Sequence, residues 1–111
     1  MKTLFVLTGP PDEAGPGYRA LREAGARARS GEVKVFLSGE AARCASRGAQ
    51  RFGAVRDLLD VVVRHGGLVG VCARCMDARG VEPEDLAPGL RPSSFYEFWE
   101  WTEWADEVIA L

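Results

Sequence analysis

The chain has 111 residues, a length that predicts one domain, residues 1–111, with a hydrophobic core that needs no disulfide. Hydrophobic residues make up 47% and charged residues 27%, as in ordinary globular proteins, and the net charge of −2 argues against a nucleic-acid partner. No apolar run reaches the length of a membrane span, and Met1 leads straight into a strand-like segment without a signal-peptide pattern. We therefore expect a cytoplasmic protein with no membrane partner.

The first part of the chain alternates between predicted strands and helices. Residues 2–8 predict a buried strand, followed by a proline-rich loop over residues 9–17 and a helix that ends before Gly31. Residues 33–38 predict the second strand. The segment 41–51 is rich in Ala and Arg and predicts a short helix or a loop. Residues 55–62 carry apolar side chains at i, i+3, i+4 and i+7, which predicts an amphipathic helix.

The second part of the chain continues this alternation. Its predicted elements are a strand at 68–72, a short helix at 73–79, one turn at 83–86, a short strand at 90–93, a helix from Ser94 to about Ala105, and a last strand at 108–111. Alternating strands and helices are typical of a parallel sheet with helices on both faces. The predicted fold class is therefore α/β.

The final helix has an unusual number of aromatic residues. Ser94 can cap it, with Glu97 completing a capping box. Trp101 and Trp104 lie off the stripe that we expect to face the sheet, and an exposed apolar patch commonly marks a subunit interface. The other interpretation is packing beneath a neighbouring loop. The predicted sheet-facing stripe contains Phe95, Phe98, Trp99, Thr102 and Ala105.

A candidate site lies where the predicted strands end, because parallel α/β sheets bind ligands at the carboxyl ends of their strands. Gly9, Gly39, Glu40 and Cys72 all follow or finish such strands. Glu40 could position a ligand there. It is equally consistent with a carboxylate that only orders its own loop.

Cys72 and Cys75 form the most informative motif, a Cys-x-x-Cys at the end of the third strand. In one hypothesis Cys72 is a nucleophilic or carrier thiol, with its pKa lowered by helix N–H groups and by Arg74 or Arg79. In another the pair cycles between dithiol and disulfide. A thioredoxin fold is disfavoured, because the motif follows the third strand of an apparently all-parallel pattern.

Three other interpretations of the sequence are weaker. Zinc would require four ligands, and only Cys44 and His65, from separate segments, could complete the set. The two cysteines could also be inert small hydrophobes. The run Gly15–Ala20 loosely matches a dinucleotide-binding pattern, but its first glycine lies several residues past the strand. We expect no metal and no cofactor.

Three segments of the chain resemble the DsrE/DsrF-like family. Residues 71–80 look like its Cys-x-x-Cys-x-x-x-Arg-Gly segment, and residues 36–41 resemble its apolar strand followed by Gly-Asp-Ala, with Glu40 in place of Asp. Residues 101–108 resemble the Trp-Thr-x-Trp-Ala-Asp ending of the YchN-like branch. The three motifs occur in the family's order and cover most of the chain.

The resemblance implies a three-layer α/β/α sandwich with a five-stranded parallel sheet. It also implies homo- or hetero-oligomers, often trimers or hexamers. Members with demonstrated roles relay sulfur: a cysteine accepts sulfane sulfur as a persulfide and passes it from a donor to an acceptor protein. The family's carrier cysteine matches Cys72, and Cys75 matches a second cysteine of the YchN-like branch. Arg74 or Arg79 would then stabilise the sulfur anion.

Overall fold

The computed structural model describes residues 1–12 and 15–111, so Glu13 and Ala14 of the predicted proline-rich loop lie outside the described residues. The sheet has five strands in the order β4-β3-β2-β1-β5, and every neighbouring pair is parallel. The predicted parallel α/β architecture is thus confirmed. The strands are β1 (Lys2–Leu7), β2 (Glu32–Leu37), β3 (Leu68–Cys72), β4 (Leu90–Ser93) and β5 (Glu107–Ala110).

Four α-helices connect these strands in the described part of the chain. The first has Pro16 at its first position, where a missing N–H costs nothing. The predicted helix or loop at 41–51 consists of two 3-10 turns, Gly39–Ala45 and Gln50–Phe52, and a third such turn is Pro83–Asp85. Within the described residues no helix is long and apolar enough to cross a membrane. The helices are α1 (Pro16–Ala28), α2 (Gly53–Arg64), α3 (Ala73–Ala78) and α4 (Phe95–Trp104).

The strand order determines how the helices form two layers. Strands β1, β2 and β3 step in one direction, so right-handed crossovers put α1 and α2 on the same face of the sheet. Strand β5 lies on the other side of β1, and α4 reaches it across the opposite face. Each face therefore has its own core: Phe5 and Leu7 pack under α1 and α2, whereas Leu4 and Val6 pack under α4.

The orientation of α4 differs from the prediction. The predicted stripe is confirmed for Phe98 and Ala105, which face the sheet, and wrong for Phe95 and Trp99, which are exposed. Trp101 faces the sheet in their place. Trp101 is only 4% exposed, so it does not belong to the exposed patch that the sequence predicts.

A glycine in the sheet accounts for this orientation. A Cβ on Gly70 of β3 would lie 3.0 Å from the Trp101 ring, so the indole occupies space that only glycine leaves free. Lys34 of β2 completes the packing, with its ammonium 4.2 Å from the Trp104 ring centroid and 5.3 Å from that of Trp101. Burial lowers the pKa of Lys34.

The start of α4 agrees with the prediction in one respect and differs in another. The Ser94 hydroxyl accepts the Glu97 N–H at 3.2 Å, as expected for an N-cap. The Glu97 carboxylate does not complete a capping box. It accepts the Ser93 hydroxyl at 2.6 Å and pairs with Arg91 at 2.7 Å, which ties the helix to the end of β4.

Candidate functional site

Cys72 is both the last residue of β3 and the N-cap of α3. It pairs with Ser93 of the neighbouring strand β4 and is half-buried, and its side chain lies on the α4 face of the sheet. The Cys75 N–H donates to Cys72 Sγ at an N···S distance of 3.4 Å. The sulfur thus lies at the carboxyl edge of the sheet, where the sequence predicts a site.

Cys75 lies on the opposite side of this edge. It is half-buried against the core under α1 and α2, and its Sγ accepts the Gly39 N–H at 3.1 Å. Gly39 has a φ of +55°, and a Cβ there would lie 2.7 Å from the carbonyl oxygen of Thr8. Only glycine fits this turn, which brings a backbone donor from the end of β2 to the second sulfur.

The electrostatics of Cys72 contradict one expectation. Burial raises the pKa of the Cys72 thiol above its ordinary value, and the hydrogen bond with the Cys75 side chain raises it as well. Backbone N–H groups of Cys75 and Arg74 act in the opposite direction but do not outweigh burial. The expected lowering of this pKa is therefore wrong, because desolvation of a thiolate costs more than the hydrogen bonds return.

Glu40 joins the segment after β2 to α3. Its carboxylate accepts Arg43 Nε at 2.7 Å and Arg79 Nε at 3.1 Å, and Arg79 also donates to the Cys75 carbonyl at 3.2 Å. The hydrogen bond from Arg43, together with the charges of both arginines, lowers the pKa of Glu40. Arg79 thus neutralises a carboxylate rather than contacting a sulfur, and its structural role is to hold Cys75 beside Gly39.

A cavity of about 400 Å³ opens beside Cys72. Arg74 contributes to its wall, as does Ser93 at the end of β4. Phe95 and Tyr96 also line it, and sequence reasoning missed both as site residues. The order of the strands would have identified them. Because β4 pairs with β3, the residues that follow β4 lie beside Cys72 at the end of β3.

The remaining candidate residues lie outside this cluster. Gly9 is exposed past the end of β1, and a Cβ there would meet no atom within 4 Å. Cys44 is buried and donates to the Ala41 carbonyl at 2.9 Å, and burial raises its pKa to about 12. His65 Nδ1 lies 2.9 Å from the Val61 carbonyl at the end of α2. Across residues 1–12 and 15–111, no three His, Cys, Asp or Glu side chains converge as metal ligands would.

This arrangement suits sulfur exchange at Cys72 better than at either other cysteine. Its sulfur combines partial exposure, an adjoining cavity and backbone donors, all of which a thiolate–disulfide exchange needs. Cys75 lies next to Cys72 along the first turn of α3, which would allow its sulfur to attack Cys72 Sγ when that atom carries a second sulfur.

Comparisons with known proteins agree with this fold. The chain is 26% identical over 116 residues to the YchN protein of Escherichia coli, covering 99% of this chain and 98% of that one. It is 28% identical over 107 residues to an uncharacterized protein of Methanopyrus kandleri, covering 94% and 88% respectively. The crystal structure of the E. coli YchN protein superimposes with a TM-score of 0.84 at 23% identity, with both chains fully covered.

A sequence model of the DsrE/DsrF-like family also matches residues 1–111. Because that match spans the whole sequence, the chain belongs to the DsrE/DsrF-like family.

Proposed function

We propose that this protein relays sulfur, with Cys72 carrying sulfane sulfur as a persulfide and passing it from a donor protein to an acceptor protein. The observation that carries the proposal is the position of Cys72 Sγ. It is a half-buried free thiol at the carboxyl end of β3, beside a cavity of about 400 Å³. Membership of the DsrE/DsrF-like family supports this chemistry.

The relay consists of two exchange reactions. The Cys72 thiolate attacks the terminal sulfur of a donor persulfide, R–S–SH, forming Cys72–S–SH and releasing the donor thiolate. An acceptor thiolate then attacks the terminal sulfur on Cys72, which forms the acceptor persulfide and returns the Cys72 thiolate. Neither reaction changes the total number of sulfane sulfurs, and no external oxidant or cofactor is required.

Cys75 can remove the sulfur from the Cys72 persulfide when no acceptor protein does so. Its thiolate can attack Cys72 Sγ of the persulfide, forming a Cys72–Cys75 disulfide and expelling hydrosulfide. The Gly39 N–H at 3.1 Å from Cys75 Sγ opposes this reaction, because a hydrogen bond to the attacking sulfur makes it a weaker nucleophile. We therefore propose that Cys75 has a secondary role in releasing sulfur from Cys72, and that the hydrogen bond from Gly39 slows this release.

The raised pKa of Cys72 favours a second candidate function. Burial disfavours the Cys72 thiolate and thereby slows its reactions, and the protein could instead be an oligomeric module that binds a small ligand or partner without cysteine chemistry. The two candidates differ in one measurable respect, the gain of a sulfur atom at Cys72.

Mass spectrometry after incubation with glutathione persulfide tests the relay. We expect wild-type protein to gain the mass of one sulfur atom, Cys72→Ser to gain none, and Cys75→Ser to keep its adduct longer. Cys44→Ser is the matched control, because Cys44 is buried and should leave loading unchanged. Wild-type protein that stays unmodified would support the non-reactive module.

The two cysteines of the motif also bear on where the protein is located in the cell. A free Cys-x-x-Cys pair is stable as thiols in a reducing compartment, and this supports the cytoplasm.

Self-association is supported by the α4 face of the sheet, which a single helix covers incompletely. Leu68 and Val108 remain 40% and 45% exposed on this face, and Trp104, the last residue of α4, is half-buried and lines a cleft together with Leu68. We propose a homo-oligomer that covers this surface.

A further inference from the structure

An exposed aromatic surface borders the Cys72 cavity. Phe95, Tyr96 and Trp99 are 74%, 86% and 65% exposed, and we call these three residues the aromatic patch. They occupy the outward side of the first half of α4, and Phe95 and Tyr96 also line the cavity beside Cys72. Single exposed aromatics are common, but three neighbouring ones, two of which line a cavity beside a thiol, are typical of a binding surface.

We propose that the aromatic patch is the docking surface for the protein that exchanges sulfur with Cys72, and that this partner presents its cysteine on a segment with apolar and basic residues. The inference rests on the proposed relay, and it specifies the kind of partner. Its basis is the continuity between the patch and the Cys72 cavity, together with the charge around the patch.

The position of the patch argues against a permanent second copy as its occupant. Any chain that covers Phe95 and Tyr96 also covers the cavity through which Cys72 is reached. A lasting subunit contact there would close the thiol to both donor and acceptor. A partner that binds and dissociates leaves the cavity accessible between encounters. Self-association can use a different surface, formed by Leu68 and Val108, which lie level with each other across the sheet near the amino ends of their strands.

The helix that carries the patch is negatively charged, whereas Arg74 places a positive charge in the wall of the Cys72 cavity. Residues 93–111 contain five acidic residues and neither Lys nor Arg. Glu97 and Glu107 are paired with Arg91 and Arg27. In the described part of the chain, Glu100 and Glu103 have no ion-pair partner.

These two free carboxylates lie on the same helix face as the aromatic patch. Tyr96, Glu100 and Glu103 follow one another at spacings of four and three residues, which places them on one side of α4. Glu100 and Tyr96 also line a second cleft, of about 520 Å³, next to the Cys72 cavity. Lys and Arg side chains complement such a face, because they pair with carboxylates and stack on aromatic rings.

Binding of a synthetic peptide tests the docking surface. The probe is a fluorescein-labelled peptide with one cysteine flanked by Leu and Arg, and its matched partner has Glu in place of Arg. We expect fluorescence anisotropy at low ionic strength to show that the Arg peptide binds at least about tenfold more tightly. Tyr96→Ser and Trp99→Ser should each weaken its binding about tenfold, as for anchor residues. Leu111→Ser is the control, since Leu111 is exposed but lies beyond β5.

Two results would overturn the docking surface. One is equal binding by wild type and both patch variants. The other is a change from oligomer to monomer in the patch variants by light scattering, which would assign the patch to a second copy. The peptide is used as a thiol, so binding is independent of sulfur transfer. Loading of Cys72 without peptide binding would refute the docking surface alone, and binding without loading would refute the relay alone.

Discussion

The three cysteines of this chain have the same chemistry and three different surroundings. Cys72 lies beside a cavity, Cys75 against the Gly39 N–H, and Cys44 in the core. Cys72 and Cys75 are both partly exposed and both accept a backbone N–H, but only Cys72 adjoins the cavity. The motif predicts a reactive pair, but it is burial and hydrogen bonding that make the two members unequal.

The pH dependence of stability reports the burial of Cys44. Its folded-state pKa of about 12 lies above the ordinary value of about 8.5, so folding favours the neutral thiol. This contribution is complete below about pH 8.5 and is lost as the pH rises towards 12. We expect the stability of wild-type protein to fall more steeply with alkaline pH than that of Cys44→Ala. Urea unfolding between pH 8 and 10.5 checks this, and parallel pH profiles would contradict it.

Helix α4 and strand β3 illustrate how one element orients another. Aromatic side chains occur on almost every side of α4, so its apolar periodicity does not identify the inward face. The space above Gly70 does, because it accommodates the Trp101 ring. The inward face is therefore a property of the helix–strand pair and not of the helix sequence.

Substitution of Gly70 tests this explanation. A Cβ at this position would lie 2.9 Å from Ser93 Cβ and 3.0 Å from Trp101 Cη2. We expect Gly70→Ala to destabilise the fold by about 1–3 kcal/mol, as overpacking commonly does. Urea unfolding followed by tryptophan fluorescence measures the change. Gly9→Ala, whose Cβ meets open space, is the control. Equal stability of the two variants would show that the Trp101 position does not depend on Gly70.

The whole molecule covers the two faces of its sheet unequally. Parallel sheets are nearly always buried on both faces, yet α4 alone covers one face here and leaves Leu68 and Val108 partly exposed. A second copy packed on this surface would complete the layer.

Light scattering tests this assembly. Leu68→Glu and Val108→Glu should each reduce the mass of the wild-type oligomer, because a buried carboxylate without a partner destabilises an interface. Leu111→Glu, at an equally exposed residue beyond β5, should leave the mass unchanged. A wild-type monomer, or variants that keep the wild-type mass, would rule out self-association through this surface.

The amino-acid sequence by itself determined the strand–helix alternation, the parallel sheet, the Ser94 cap and the location of Cys72 at a strand end. These features depend on apolar periodicity and on contacts between near neighbours, which are readable along the chain. Only the tertiary structure decided which aromatics of α4 are buried, that the pKa of Cys72 is raised, and that Gly39 binds Cys75. Each of these depends on residues far apart in sequence, through packing space, desolvation or a donor from another strand.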